Sequence, residues 1–170
     1  MEENKQSFLS RLFNKQQGQQ VQEATPVDES KIPTVGRTLA QTIIAFTSDQ
    51  EEHFSEQEKE ALRAQLLTMP KLQIGELNFL PLEAGLYQGG YYVKVFIRNG
   101  LDVQEEITLQ EVPMYLLDAK NEPVAGGVFE LQDFGTLRFG ETRYWTFIYA
   151  QEQVYKTNAD LTDFTIQIQG

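Results

Sequence analysis

The feature that most constrains this chain is a series of short segments, beginning near residue 76, in which apolar and polar residues alternate. The clearest segment spans residues 91–99, with Tyr91, Val93, Val95 and Ile97 on one side and Tyr92, Lys94, Phe96 and Arg98 on the other. A period of two is typical of a β-strand with one face in the core. The turn dipeptide Asn99-Gly100 then ends the segment.

Further segments of strand character span residues 76–82, 107–118, 124–131, 142–150 and 160–169. Pro113 should interrupt or bulge the second of these, because proline cannot donate to a strand ladder. Gly, Pro and Asn turns separate the segments without helices between them, which indicates antiparallel pairing. The sequence therefore predicts a mainly β fold: an immunoglobulin-like antiparallel β-sandwich with one short α-helix.

The helix is predicted just before these strands. Ser55 and Glu58 form a capping-box pattern, an apolar face follows with Leu62, Leu66 and Leu67, and Pro70 ends the helix. About three turns result, which should pack on a sheet. Residues 37–46 have strand composition, although a helix is also compatible with them.

The first 35 residues differ from the rest, since they contain six glutamines, two prolines and few apolar residues. We expect residues 1–35 to be a flexible tail and residues 36–170 to be the folded domain. The exception is a cluster in which Phe8, Leu9, Leu12 and Phe13 share one helical face. It is a candidate docking segment for a membrane surface or a partner groove, or else an incidental cluster that is disordered alone.

Charge and composition exclude several function classes. The chain has 14 basic and 25 acidic residues and a net charge of -11, of which about -10 falls in residues 36–170. This balance argues against nucleic acid as a partner, and against anionic lipid as the main partner of the folded part. With no cysteine and the single histidine His53, thiolate chemistry, Cys-ligated metals and His-rich sites are excluded. No apolar run approaches the roughly 20 residues of a membrane span, and no catalytic constellation emerges, so we expect no enzyme activity, cofactor or metal.

Two features are candidates for binding. The densest acidic stretch contains Asp49, Glu51, Glu52, Glu56, Glu58 and Glu60. It is either a docking patch for a basic partner or a solvated helix face that favours the positive helix N-terminus. Trp145 lies on one face of its segment with Arg143, Phe147 and Tyr149. That spacing favours a core position over a carbohydrate platform.

The motifs between residues 92 and 148 change the interpretation. They run in this order: Val95-Phe96-Ile97-Arg98-Asn99, Tyr115-Leu116-Leu117-Asp118, Val124-Ala125, Phe129-Glu130-Leu131, Phe134-Gly135-Thr136-Leu137 and Arg143-Tyr144-Trp145-Thr146-Phe147. This order resembles the SLAP domain of Gram-positive bacteria. The region from Phe54 to Leu72 is similar to the longer members, the accessory Sec system S-layer assembly proteins. Thr142-Arg143-Tyr144-Trp145 departs from the family's usual S-R-P-W, and the segment beyond Ala150 adds a strand that these motifs do not account for.

The resemblance implies a non-catalytic, cytoplasmic protein that assists export of surface-layer proteins. Its implied partner is the accessory secretion ATPase or a surface-layer precursor, and the family supplies no catalytic residues. The leading hypothesis is therefore a protein-interaction module. The alternative is a self-associating structural β-sandwich, a homo-oligomer through an exposed strand edge, with no direct role in export.

Overall fold

The computed structural model describes residues 38–39 and 42–169, with only the backbone described at 38–39. The strands are β1 (Thr38–Leu39), β2 (Ile43–Ile44), β3 (Leu72–Gln73), β4 (Leu77–Tyr87), β5 (Gly90–Asn99), β6 (Glu111–Leu117), β7 (Pro123–Glu130), β8 (Glu141–Tyr149) and β9 (Thr165–Ile168). The helices are α1 (Ser48–His53) and α2 (Glu56–Leu66), and a 3-10 turn covers Gln151–Gln153.

The strands form two main sheets. One has four strands in the order β2-β8-β5-β4, the other has three in the order β7-β6-β9, and β1 pairs separately with β3. All pairs are antiparallel except β2 with β8, which is parallel. The predicted mainly β fold is confirmed. Its immunoglobulin-like character stays a prediction.

The core lies between the two main sheets, because each presents alternate apolar side chains to the other. Phe129 of β7 packs edge-on against Phe147 and Tyr149 of β8, with ring centroids 5.0 and 4.9 Å apart. The Tyr149 hydroxyl donates a 3.0 Å hydrogen bond to the Met114 carbonyl across the same interface. The predicted inward face of β8 is therefore correct, and Trp145 packs against this core while only partly buried.

Each helix begins at a reciprocal capping box. The predicted box is present at α2, where the Ser55 hydroxyl accepts from Glu58 N–H and the Glu58 carboxylate accepts from Ser55 N–H. Thr47 and Gln50 form the same arrangement at α1. Because a capping box satisfies two orphan donors, it stabilises even a helix as short as α1.

The helices cover the face of the four-stranded sheet that points away from the core. Phe54, between α1 and α2, meets Tyr144 of β8 at 6.0 Å, and Tyr144 meets Phe96 of β5 at 6.1 Å. The prediction that α2 packs on a sheet is consistent with this layer, and Leu66 is buried. The inclusion of Leu67 in its apolar face was wrong, since Leu67 follows the last helical turn and is 69% exposed.

Four predicted boundaries also differ, and one of them is the start of β9, which begins at Thr165 rather than at residue 160. β4 continues to Tyr87 because a register shift between Pro81 and Glu83 absorbs one residue and lets pairing with β5 resume. β6 begins at Glu111 rather than 107, since Ile107 bridges to Leu137 instead. Residues 37–46 hold two short strands, β1 and β2, rather than one.

Candidate functional site

The most distinctive feature of the surface is the point where β2 leaves β8. The parallel pair covers only Ile43–Ile44 against Glu141 and Thr142. Ala45 N–H then donates a 2.7 Å hydrogen bond to the Thr142 carbonyl, after which the chain turns into α1. β8 runs on to Tyr149. The strand therefore extends well past its short parallel neighbour.

An open groove with a volume of about 850 Å³ lies beside this part of β8. Residues 46–54 form one wall, the loop of residues 132–135 forms the other, and β8 lies between them. The aromatic side chains that line the groove are Phe46, Phe54, Phe134, Tyr144 and Trp145, and the acidic ones are Asp49, Glu52 and Asp133. We call this feature the β8 groove. Aromatic surface together with carboxylates suits a ligand that carries both apolar and cationic groups.

Arg143 holds the two walls of the groove in place. Its Nε donates a 2.6 Å hydrogen bond to the Ala45 carbonyl, and its other nitrogens donate to the carbonyls of Phe134 and Thr136. The guanidinium also stacks over the Phe134 ring at 4.9 Å. Burial lowers the pKa of Arg143, yet an arginine keeps its charge in proteins. Since the side chain is only 4% exposed, this cation serves the fold and is not presented to a ligand.

Two of the predicted acidic residues stabilise the helical layer. Lys59 is 6% exposed, and its Nζ lies 2.7 Å from the Glu51 carboxylate and 3.5 Å from that of Glu56. The hydrogen bond that the Lys59 ammonium donates to the Glu51 carboxylate is the main cause that raises the pKa of Lys59. Because a buried ammonium needs a paired anion, Glu51 and Glu56 are already engaged within the protein.

Two more predicted acidic residues have partners on α2 itself. Glu58 closes the capping box with Ser55, at 2.9 Å from the Ser55 nitrogen. Glu60 lies 3.0 Å from Arg63, one turn further along the same helix. The hydrogen bond of Glu58 and the ion pair of Glu60 are both exposed. They therefore contribute little to stability and leave the two carboxylates accessible.

The remaining two, Asp49 and Glu52, lie on α1 at the β8 groove, where both are exposed. Asp49 also lies 3.2 Å from Nδ1 of His53. The structure thus divides the predicted patch: Asp49 and Glu52 join Asp133 at the groove, and the other four carboxylates lie elsewhere on the helical layer. Whether any of the six contacts a partner stays a prediction. The tail residues Phe8, Leu9, Leu12 and Phe13 lie outside the described residues.

Sequence reasoning missed α1, Asp133 and the open side of β8. The signal for α1 was readable, because Thr47-x-x-Gln50 has the spacing of a capping box. Asp133 belongs to a turn in which it and Gly135 both have positive φ, at 62° and 79°. No local pattern indicates that this turn faces α1 across the end of a sheet.

Strand edges occur on both sheets. Within the described residues, β4 and β2 flank the four-stranded sheet, and β7 and β9 flank the three-stranded one. β4 is the longest edge, but it contains Pro81 and a register shift, features that discourage pairing with another chain. Part of β7 is covered, since Tyr155 N–H donates to the Val124 carbonyl at 2.7 Å.

Two further observations concern chemistry and membranes. In residues 42–169 no group of three or more His, Asp or Glu side chains is placed to hold a metal ion. None of the helices in this same part of the chain has the length and apolar content needed to cross a bilayer.

Comparison with known proteins confirms the resemblance to the SLAP domain, and the match continues beyond Ala150, where the motifs gave no correspondence. The family model of the SLAP domain matches residues 44–170, which includes α1, α2, the β8 groove and both main sheets. Neither the curated proteins nor the solved structures gave a match. Because the match covers well over half of the 170 residues, this chain belongs to the SLAP domain family.

Proposed function

We propose that this protein is a non-catalytic protein-interaction module, a cytoplasmic accessory factor in the secretion or assembly of surface-layer proteins. The observation that carries the proposal is the SLAP-domain match over residues 44–170. The proposed partner is the accessory secretion ATPase or a surface-layer precursor. Either would be met as a polypeptide surface, for which a groove open along its length is better suited than an enclosed cavity.

The charge of the chain supports a partner with a basic contact surface. A net charge of -11 attracts basic surfaces over roughly 8–10 Å at moderate salt, which raises association rates. Asp49, Glu52 and Asp133 concentrate that charge beside aromatic rings of the β8 groove, most of which are partly buried. Lysine and arginine side chains combine an apolar stem with a cationic head, so they suit such a surface.

The use of buried polar groups supports a binding role over a catalytic one. Arg143 donates its hydrogen bonds to three backbone carbonyls. Asp118 accepts a 2.6 Å hydrogen bond from Lys156 and two more from the backbone of its own turn. These groups are engaged in holding loops, and an enzyme needs such groups directed at a substrate.

Affinity capture from the native cell tests the proposal. The tagged full chain should enrich the accessory secretion ATPase or a surface-layer precursor. The variant Asp49→Asn, Glu52→Gln, Asp133→Asn should lose most of that enrichment, because it removes the carboxylates of the groove. A matched control removes three exposed carboxylates in or near the three-stranded sheet, with Glu111→Gln, Glu130→Gln and Asp163→Asn, and should capture normally. If neither partner is enriched by the unmodified chain, the export role is wrong.

A further inference from the structure

The side of β8 that faces the groove has a defined hydrogen-bonding pattern. The Gly140 and Thr142 carbonyls accept from Ile43 and Ala45 N–H, and the Tyr144 carbonyl accepts from the Gln50 side chain at 2.8 Å. These acceptors are alternate residues of one segment. The even-numbered positions therefore present their backbone groups to the groove side of β8.

The odd-numbered positions of β8 direct their backbone groups toward β5, with which β8 pairs antiparallel from Thr142 to Tyr149. Because backbone direction alternates along a strand, the N–H and C=O groups of Thr146 and Ile148 point to the groove side. Within residues 42–169 no backbone or side-chain group forms a hydrogen bond with them on that side. Both side chains are exposed. Within the described part of the chain, no strand pairs with this edge of β8, which runs from Thr146 in the groove to Ile148 just beyond it.

An added strand would lie beside β8 in line with β2, starting where the pairing of β2 with β8 ends at Ala45. Its alternate side chains would point toward the two walls of the groove, and each wall carries at least one carboxylate: Asp49 and Glu52 on α1, and Asp133 on the loop. Acidic side chains of an added strand would be repelled by these carboxylates. Lysine or arginine side chains would be attracted to them, and their apolar stems would pack on the aromatic rings.

We propose that the β8 groove binds an extended basic segment of a partner protein, which pairs with Thr146 and Ile148 as an added β-strand. The backbone of the segment provides affinity and its basic side chains provide selectivity. This inference rests on the proposed role as an interaction module, and it adds the chemistry of the partner and the manner of its binding.

The first experiment measures fluorescence anisotropy with the purified full chain and a labelled peptide of alternating lysine and valine. Two control peptides are matched in length: one replaces lysine with glutamate, and one carries N-methyl groups on every backbone amide, so that neither edge of the peptide can donate hydrogen bonds to β8. The lysine peptide should bind, and binding should weaken at high salt. N-methylation should reduce affinity at least about tenfold, because it removes strand hydrogen bonds while keeping every charge. Equal affinity for the methylated and unmethylated peptides would overturn the proposal.

The second experiment locates the bound peptide by amide hydrogen exchange. The Thr146 and Ile148 amides should exchange rapidly in the free full chain and become protected when the peptide binds. Phe147 is the internal reference, because its pairing with Val93 of β5 should protect it in both states. Protection that appears elsewhere, or not at all, would overturn the proposal. Protection of Thr146 and Ile148 in the free chain would also overturn it, since the groove would then be filled by the chain's own residues.

A variant separates backbone pairing from charge. Thr146→Pro removes the Thr146 N–H, keeps all three carboxylates, and breaks no pairing with β5 because this N–H faces the groove. It should abolish peptide binding while the thermal unfolding curve stays close to that of the parent. Unchanged binding in a folded Thr146→Pro variant would contradict strand addition. These measurements need only purified protein and peptide, so they fail or succeed independently of the capture that tests the export role.

Discussion

Arg143 Nε donates a 2.6 Å hydrogen bond to the carbonyl oxygen of Ala45, at the place where β2 and β8 separate. The same guanidinium donates to Phe134 and Thr136 in the loop on the opposite side of the groove. One buried side chain thus positions both walls of the β8 groove. The groove exists because the parallel pairing of β2 with β8 is short and the chain then departs into α1.

Replacement of Arg143 should therefore weaken the fold. Arg143→Met keeps much of the buried volume but leaves three carbonyls without their donors, and we expect a loss of about 2–4 kcal/mol of unfolding free energy. Denaturant unfolding measures it. The control is Arg138→Met, at an arginine whose side chain is 72% exposed, which should change stability by less than about 0.5 kcal/mol. Equal effects of the two changes would show that the buried contacts do not hold the loop.

Trp145 has a dual position, since it packs edge-on against Phe134 at 5.2 Å and also lines the groove. Because it is only partly buried, Trp145→Ala should cost about 2–3 kcal/mol, less than a fully buried aromatic. Denaturant unfolding and peptide binding should both be affected. Ile148→Ala, at a side chain 46% exposed, is the control for stability and should have a small effect. A Trp145→Ala variant of unchanged stability would mean that Trp145 is a surface platform only.

The acidic residues of the helical layer should divide into two classes in thermal unfolding. Glu51→Gln should lower Tm, because Lys59 is buried and Glu51 is its nearest anion at 2.7 Å. Asp49→Asn should leave Tm nearly unchanged, since Asp49 is exposed. Identical Tm values for the two variants would refute the division. Binding should show the reverse order, with the larger effect at Asp49.

Stability should fall between about pH 4 and pH 2 because of the pair formed by Asp118 and Lys156. The hydrogen bond from Lys156, supported by the N–H groups of Glu122 and Lys120, lowers the pKa of Asp118 from 3.8 to about 2. A carboxyl whose pKa is lower in the folded state stabilises the fold above its unfolded pKa, and this contribution is lost as pH falls through the folded value.

Asp118→Asn should therefore reduce unfolding free energy at pH 6 and have much less effect near pH 2. Lys156→Met should act in the same direction, and the double variant should lose less than the sum of the two, because both remove one interaction. Lys156 also forms an ion pair with Glu122 at 2.7 Å, so the double-mutant cycle of Asp118 and Lys156 should be repeated with Glu122→Gln as a further variant. If Asp118→Asn reduced the unfolding free energy equally at pH 6 and pH 2, the pair of Asp118 with Lys156 would not be the source of the pH dependence.

The parts of the fold that were predicted correctly are those that local patterns encode. Alternation located β5 and β8 to within a residue, and the Ser55–Glu58 box located α2, because both signals concern neighbours in sequence. The end of β4 was missed since the shift near Leu82 breaks the alternation that identifies a strand, although pairing with β5 continues to Tyr87.

The candidate site was predicted only in part, for a physical reason. Acidic clustering pointed to Asp49 and Glu52, but it did not indicate that Glu51 and Glu56 pair with a buried lysine. The groove itself depends on contacts between residues almost one hundred positions apart, such as Arg143 with Ala45. Composition and periodicity carry no information on such contacts.

Site-specific photocrosslinking in the native cell tests the central claim most directly. A benzophenone amino acid at Thr146 places the reactive group at the open edge of β8, and the same amino acid at Val128, 59% exposed on the three-stranded sheet, is the control. We predict that position 146 alone forms an adduct with the accessory secretion ATPase or a surface-layer precursor, through a basic segment of that protein. The same adducts from both positions, or adducts from position 128 alone, would contradict the account.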